Sequence, residues 1–283
     1  MSAVLLALAF ILVAPMIGGL VAGVDRVVTA RMQGRVGPPV LQAFFDVAKL
    51  WHKTTRSVNP VAEPLLLGHV GFMALTGALI VGGVDLLFTI FVFVLAAVCL
   101  VLAAASADSP YSATGAQREL VLVLAAEPFF VVLVAAICKL TSATTLAGVL
   151  ASPVHVAVAL PGLLVGFLLI VALKLRKSPF DISTSHHAHQ ELVKGLTSDL
   201  SGRLLAYVEV AHWYETVILL GCFVALFFNW SLPLGLAAAT LAYGLAILVD
   251  NSTGRARWPL LLKTVWTATF FLAGGNLLAL YLG

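Results

Sequence analysis

The stretch KLRKSPFDISTSHHAHQELVKGLTSDLSGRLLAYVEVAHWYE, Lys174 to Glu215, decides how the chain is read. Leu160 to Leu173 before it are almost wholly apolar, and so are Thr216 to Phe228 after it. Lys174 to Arg203 carry five basic residues, three acids and three histidines. Glu209, His212 and Glu215 then continue the polar chemistry into the apolar segment itself. Two membrane-grade segments joined by a densely charged connection make an all-α integral membrane protein whose chemistry gathers at one membrane face.

The rest of the chain agrees. Hydrophobic residues make up 61% and charged residues 10%, with a mean hydropathy of +1.07. Soluble domains carry about 25% charged residues, so this chain cannot cover a water-facing surface, and lipid is its solvent. The net charge of +3 is spread over loops and is no nucleic-acid footprint. Cys99, Cys138 and Cys222 lie in or at the end of apolar runs without CxxC spacing. That excludes a cysteine-ligated iron–sulfur cluster within the chain and argues against a disulfide framework.

A crossing helix needs about 20 apolar residues. Eight spans are predicted, at 3–24, 64–82, 86–105, 114–137, 154–173, 204–229, 232–249 and 259–281. The first lacks a basic leader, and Arg26, Arg31 and Arg35 follow it, so it reads as a span and not as a cleaved signal. Pro15 is predicted to kink it. No internal repeat is visible, and residues 1–283 read as one membrane domain. With eight crossings, fifteen of the sixteen Lys and Arg fall on the side of the loops 25–63, 106–113, 174–203 and 250–258. Only Lys139 lies opposite. The positive side is cytoplasmic. Both termini then face outward across the cytoplasmic (inner) membrane of a prokaryote.

In the loop 25–63, Gly37-Pro38-Pro39 block a helix before Val40. After them Leu41, Phe44, Phe45, Ala48 and Trp51 recur at helical spacing, with Gln42, Asp46, Lys49 and Lys53 on another face. This predicts an amphipathic helix at the cytoplasmic interface. Arg31, Arg35, Asp46 and Lys49 would form a docking platform for a soluble partner; the plainer reading is a lipid-surface anchor.

Ionisable groups inside a bilayer are costly and generally functional. Glu119 and Glu127 sit on the fourth span, roughly 80° apart around the helix and about 12 Å along it. Pro128 releases the carbonyl of Leu124 beside Glu127. Glu209, His212 and Glu215, spaced by three, share one side of the sixth span. Together they are the candidate ion pathway; the alternative is that they only hydrogen-bond neighbouring helices. Glu209-x-x-His212 has the spacing of one di-iron helix motif, but no second such helix is present. His186, His187 and His189 with Glu191 could bind zinc; clustered loop histidines more commonly contact partners or admit protons, and no metal is assigned. With no Walker motif, no GxGxxG and no convincing nucleophile–base pair, the chain holds no catalytic residue of its own.

Arg31-Met32-Gln33, Arg35-Val36-Gly37-Pro38-Pro39, Leu41-Gln42, Asp46 and Lys49-Leu50 resemble the first cytoplasmic loop of subunit 1 of respiratory complex I. Pro179-Phe180-Asp181, Glu191-Leu192-Val193-x-Gly195 and Ser201-Gly202 resemble its third. Where complex I has an acid-rich run after Pro-Phe-Asp, this chain has Ser183-Thr184-Ser185-His186-His187-Ala188-His189-Gln190. That run is similar to the membrane subunit of energy-converting (group 4) NiFe hydrogenases. The resemblance implies a multisubunit enzyme, with a NiFe centre and iron–sulfur clusters in partner subunits and no cofactor in this chain. Implied partners are the hydrogenase large and small subunits, an iron–sulfur subunit and an antiporter-like membrane subunit, with ferredoxin as donor. It also implies a coupling loop containing Asp181, His186, His187, His189, Glu191 and Asp199. Three other readings stay open: the quinone-site subunit of an NADH:quinone oxidoreductase, a stand-alone ion transporter, or a passive anchor.

Overall fold

The computed structural model describes residues 3–55, 59–177, 195–254 and 258–282. Its helices are α1 (Ala3–Met32), α2 (Gln42–His52), α3 (Ala62–Val81), α4 (Leu86–Ala105), α5 (Pro110–Thr141), α6 (Leu146–Ala151), α7 (Val156–Ala159), α8 (Pro161–Lys174), α9 (Arg203–Phe227), α10 (Leu232–Ser252), α11 (Trp258–Ala268) and α12 (Gly275–Leu282). A 3₁₀ turn at Gly195–Thr197 precedes α9, and a π-helical turn at Thr269–Gly274 joins α11 to α12. Among the described residues there is no strand, only an isolated bridge between Asp85 and Thr145.

Among the described residues, seven helical stretches are long and apolar enough to cross a membrane. The fifth predicted span, 154–173, is not a single helix. It breaks at Leu160, whose φ of −126° and ψ of 59° lie outside the helical region. Pro161 causes the break, because its ring crowds the preceding residue and it offers no backbone N–H. The 14 residues of α8 span about 21 Å, short of a hydrocarbon layer of about 30 Å. Other spans are longer than predicted, the first and fourth the most. α1 continues past residue 24 to Met32, carrying Asp25 and Arg26 with it, and α5 starts at Pro110, a residue suited to the first helical turn.

α9 packs on α1, α2, α3 and α10, while α5 packs on α4, α8, α11, α12 and the 3₁₀ turn. An aromatic group knits the two halves: Phe167 stacks on Phe223 at 4.7 Å, and Phe130 meets Phe93 edge-on at 5.8 Å. α1 approaches its neighbours closely through glycine. A Cβ on Gly23 would lie 1.8 Å from the Val40 carbonyl oxygen. Large apolar side chains such as Leu12 and Phe271 stay exposed on the outside, as lipid permits.

The predicted amphipathic helix is α2, and most of its apolar stripe is open to lipid. Leu41, Phe45, Ala48 and Trp51 are exposed, whereas Ala43 is buried. Phe44 reaches inward to Trp213 at 5.1 Å, and Trp51 rests edge-on against Tyr207 at 5.5 Å.

Candidate functional site: a buried array of ion pairs

The site begins where α8 ends. The backbone turns tightly after Lys174: the N–H groups of Leu175, Arg176 and Lys177 bond the carbonyls of Val171, Leu173 and Ala172 at 2.8, 3.0 and 3.0 Å. Arg176 takes a left-handed φ of 59°, which costs a non-glycine residue about 1–2 kcal/mol. Such strain is retained where the surroundings enforce it. Here they do, because the turn distributes three cations among three helices.

Lys174 Nζ lies 3.3 Å from Glu127 Oε1 on α5. Arg176 lies 3.4 Å from Glu119 Oε1, also on α5. Lys177 Nζ lies 2.6 Å from Asp25 Oδ2 on α1 and 3.5 Å from Asp250 Oδ2 on α10. Tyr243 adds a hydrogen bond to Asp25. The side chains of Lys174 and Glu119 are only 4% and 6% exposed, so these are interior pairs. Pairing and hydrogen bonding are what make such burial tolerable. Lys174 also lies over the rings of Phe93 and Phe130, 4.8 and 5.9 Å from their centroids. Among the described residues, Glu127 Oε2 is buried without a hydrogen-bond partner.

α9 brings the second set. Glu215 is buried, and its Oε2 lies 3.4 Å from Nδ1 of His212. The charges of Lys174 and Arg176 act on it as well. His69 on α3 is buried within electrostatic reach of Glu215. Its Nδ1 is 2.8 Å from the carbonyl oxygen of Ala96. A carbonyl only accepts, so in the neutral ring Nδ1 carries the hydrogen and Nε2 the lone pair. Glu209 is half-buried, and His212 meets Glu215 rather than Glu209 among the described contacts.

The structure therefore brings Glu119, Glu127, His212 and Glu215 into one electrostatic neighbourhood. Of the predicted coupling residues, Asp181, His186, His187, His189 and Glu191 lie outside the described residues. Asp199 accepts a hydrogen bond from Ser112 Oγ at 2.6 Å. Gly115 packs so tightly on the same segment that a Cβ there would lie 2.2 Å from Leu196 N. Residues 195–199 are thereby strapped across the first turns of α5.

The docking group divides. Arg31, Arg35 and Lys49 are exposed, as a platform requires. Asp46 is instead paired with Arg26, 2.5 Å away, and also accepts from Gln42 at 2.8 Å. Partial burial pushes its carboxyl up, but the Arg26 and Gln42 hydrogen bonds and the charges of Arg26 and Lys49 outweigh it and hold it below the usual aspartate range. Asp46 thus fastens α2 to α1. Among the described residues no group of three or more His, Cys, Asp or Glu could hold a metal ion.

Sequence reading missed four participants. Lys174, Arg176 and Lys177 read there as loop charges that set orientation, and His69 stood out by nothing but its place in an apolar run. The available signal was that Lys174 follows Leu173 with no polar spacer.

The chain matches the family model described as NADH dehydrogenase over residues 4–281. It is 27% identical to Hydrogenase-4 component C of Escherichia coli (strain K12), with 93% of this chain and 91% of that protein covered. It is also 27% identical to Formate hydrogenlyase subunit 4 of the same organism, with 92% of this chain and 94% of that protein covered. In fold it is similar to a chain of the membrane-bound sulfane sulfur reductase, an archaeal respiratory membrane complex. The TM-score is 0.85 at 21% identity, covering 98% of this chain and 99% of that one.

Proposed function

Since this chain belongs to the NADH dehydrogenase family, we infer that it is the membrane subunit of an energy-converting NiFe hydrogenase complex related to complex I. It docks a cytoplasmic arm of hydrogenase large, small and iron–sulfur subunits, fed by ferredoxin, onto an antiporter-like membrane subunit. It couples electron transfer in that arm to translocation of protons or sodium. The names of the two Escherichia coli relatives support the hydrogenase assignment. The nickel–iron centre and clusters belong to the partners; the three cysteines of this chain sit on three different helices, α4, α5 and α9. The loops 25–63 and 174–203 face the cytoplasm and both termini face outward, a reading supported by the one-sided distribution of Lys and Arg.

One observation supports the mechanism: the described residues on either side of 178–194 are tied to α5, the helix that holds Glu119 and Glu127. Arg176 ties the start through Glu119, and Ser112 ties the end through Asp199. A charge change in the docked arm that displaces this segment also displaces the cations paired with the buried acids. Coupling of this kind requires two arrangements of the segment with different affinity for the ion. Glu127, Glu215, His212 and Glu209 then pass the ion toward the neighbouring membrane subunit.

The test is a Glu215→Gln variant in the intact complex, preceded by purification of a tagged chain. Hydrogenase subunits and nickel should co-purify in stoichiometric amount. The variant should assemble and accept electrons, and ion translocation should stop. A complex without nickel, or a variant that pumps at the wild-type ratio, refutes the assignment or the pathway respectively.

A further inference from the structure

A cavity of about 160 Å³ lies inside the bundle, on the side of the acids away from the charged turn. Its wall on α9 comes from residues between Val217 and Leu226, beyond Glu215, and on α5 from residues between Leu133 and Ile137, beyond Glu127. Phe167 of α8 and the short helix α6 also line it.

The backbone leaves this space. α8 starts only at Pro161, and the chain between α5 and α8 forms no more than the short helices α6 and α7. Glycine shapes the wall at two points. A Cβ on Gly77 would collide with the ring of Phe10, so glycine there lets Phe10 stand against α3. At Gly221 a Cβ would meet nothing within 4 Å. Of the described lining residues, Gly221 alone is exposed. It belongs to a helix long and apolar enough to cross the membrane. The mouth of the cavity is therefore continuous with the lipid-covered surface of the bundle, and hydrocarbon is what reaches it first.

The lining selects its occupant. Every side chain in it is hydrocarbon except the Cys222 thiol, a weak donor. Water needs two to four polar partners, and an apolar cavity of roughly 150 Å³ stays dry. A lipid headgroup or a quinone ring would leave its oxygens without donors, which is costly in an apolar site. Left empty, the wall forfeits contacts on its open side, and the loss grows with cavity volume. A hydrocarbon chain restores those contacts, and it comes from surroundings as apolar as the wall. A volume of this order takes a guest of about benzene size, which is the last few carbons of a chain. An unbranched chain end passes a glycine more readily than an isoprenoid chain, which carries a methyl branch on each unit.

We propose that this cavity is a binding site for the terminal segment of a membrane lipid's acyl chain, entering past Gly221. The site is separate from the acid row and does not depend on the coupling function.

The experiment places the assembled complex in vesicles doped with a phospholipid carrying a photoactivated diazirine, either at the end of one acyl chain or next to its carboxyl carbon. After illumination, labelled residues of this chain are located by tandem mass spectrometry. Leu133 and Phe167 are buried, so a chain reaches them only through the cavity. The chain-end probe should label both at least several-fold more than the carboxyl-end probe. Gly221→Leu puts a side chain in the mouth and suits a helix better than glycine. It should cut that labelling at least several-fold and leave labelling of the exposed Phe271 as in wild type. If Gly221→Leu does not assemble, the two probe positions in the wild-type complex decide. Equal labelling by both probes, or labelling of Leu133 and Phe167 that survives Gly221→Leu, overturns the site. A third arm adds excess isoprenoid quinone to the vesicles. Unchanged labelling supports the acyl chain, and loss of the label from Leu133 and Phe167 assigns the cavity to an isoprenoid tail and overturns the proposal.

Discussion

Replacing Lys177 by methionine should open the molecule locally at the α1–α10 contact. The ammonium of Lys177 stands between Asp25 and Asp250 at 2.6 and 3.5 Å, and the three side chains are 11%, 19% and 12% exposed. Asp25 keeps Thr29 Oγ1 at 3.3 Å and Tyr243 as donors. Methionine fills the volume but leaves two carboxylates buried near each other. Breaking a buried pair by removing one partner costs about 3–5 kcal/mol, and the partial exposure of the acids puts this case at the low end, about 3 kcal/mol. At about 1.4 kcal/mol per tenfold, local opening becomes over a hundredfold more frequent. Hydrogen–deuterium exchange of peptides from residues 243–254, in the assembled complex, reads that factor directly. The double variant Lys177→Met/Asp25→Asn removes one orphaned charge and should recover at least about 1 kcal/mol, roughly fivefold slower exchange, the coupling a double-mutant cycle assigns to contacting groups. Exchange in Lys177→Met within threefold of wild type would refute the reasoning. So would a double variant that opens faster than the single one.

Gly23→Ala should detach α2 from α1. Its Cβ would lie 1.8 Å from a backbone oxygen that cannot move alone; the overpacking cost of about 1–3 kcal/mol outweighs the gain of about 1 kcal/mol from replacing a mid-helix glycine, and faster tryptic cleavage at Lys49 and Lys53 checks it. Asp46 fixes the pH dependence of the same contact. Its folded carboxyl is held below the ordinary value, about 3.9 for aspartate. The stabilisation is therefore complete above that value and is lost as pH falls through the lower, folded one. Opening of α2, followed by hydrogen exchange of peptides from residues 42–52, should rise in that acid window and be insensitive to it in Asp46→Asn.

The class of fold was legible because lipid imposes it. Residues 3–24, 86–105 and 232–249 are apolar nearly throughout, and nothing but a membrane helix accommodates such runs. The break at Leu160 was not read, although Pro161 carries the cause, because hydropathy averages over the very residue that interrupts the helix. The acids Glu119, Glu127 and Glu215 were found by their cost in a bilayer. Their cations were not, since Lys174, Arg176 and Lys177 also satisfy the rule that puts positive charge at the cytoplasmic end. That rule counts charge and is blind to burial. A left-handed Arg176, which turns the three side chains toward three helices, has no signature in composition or spacing. His69 was equally hidden: one histidine in an apolar run looks the same whether it packs passively or faces a glutamate far along the chain, as here.

The cations change what the acid row can do. Buried carboxyls with no partner would simply stay neutral, because desolvation disfavours the charged form, and a row of neutral acids has no reason to respond to an event in a distant soluble arm. Paired to Lys174 and Arg176, the same acids depend on where those side chains stand. The turn that holds them precedes residue 178 in the chain, and residues 195–199, which follow residue 194, are strapped to α5 through Ser112 and Asp199. In the coupling function proposed above, a displacement of the flanking residues would reach Glu119, Glu127 and Glu215 as movement of charge, which acts over several ångströms in a medium of low dielectric. Side-chain packing alone would be a poorer transmitter, since a close-packed interior transmits strain only through contacts.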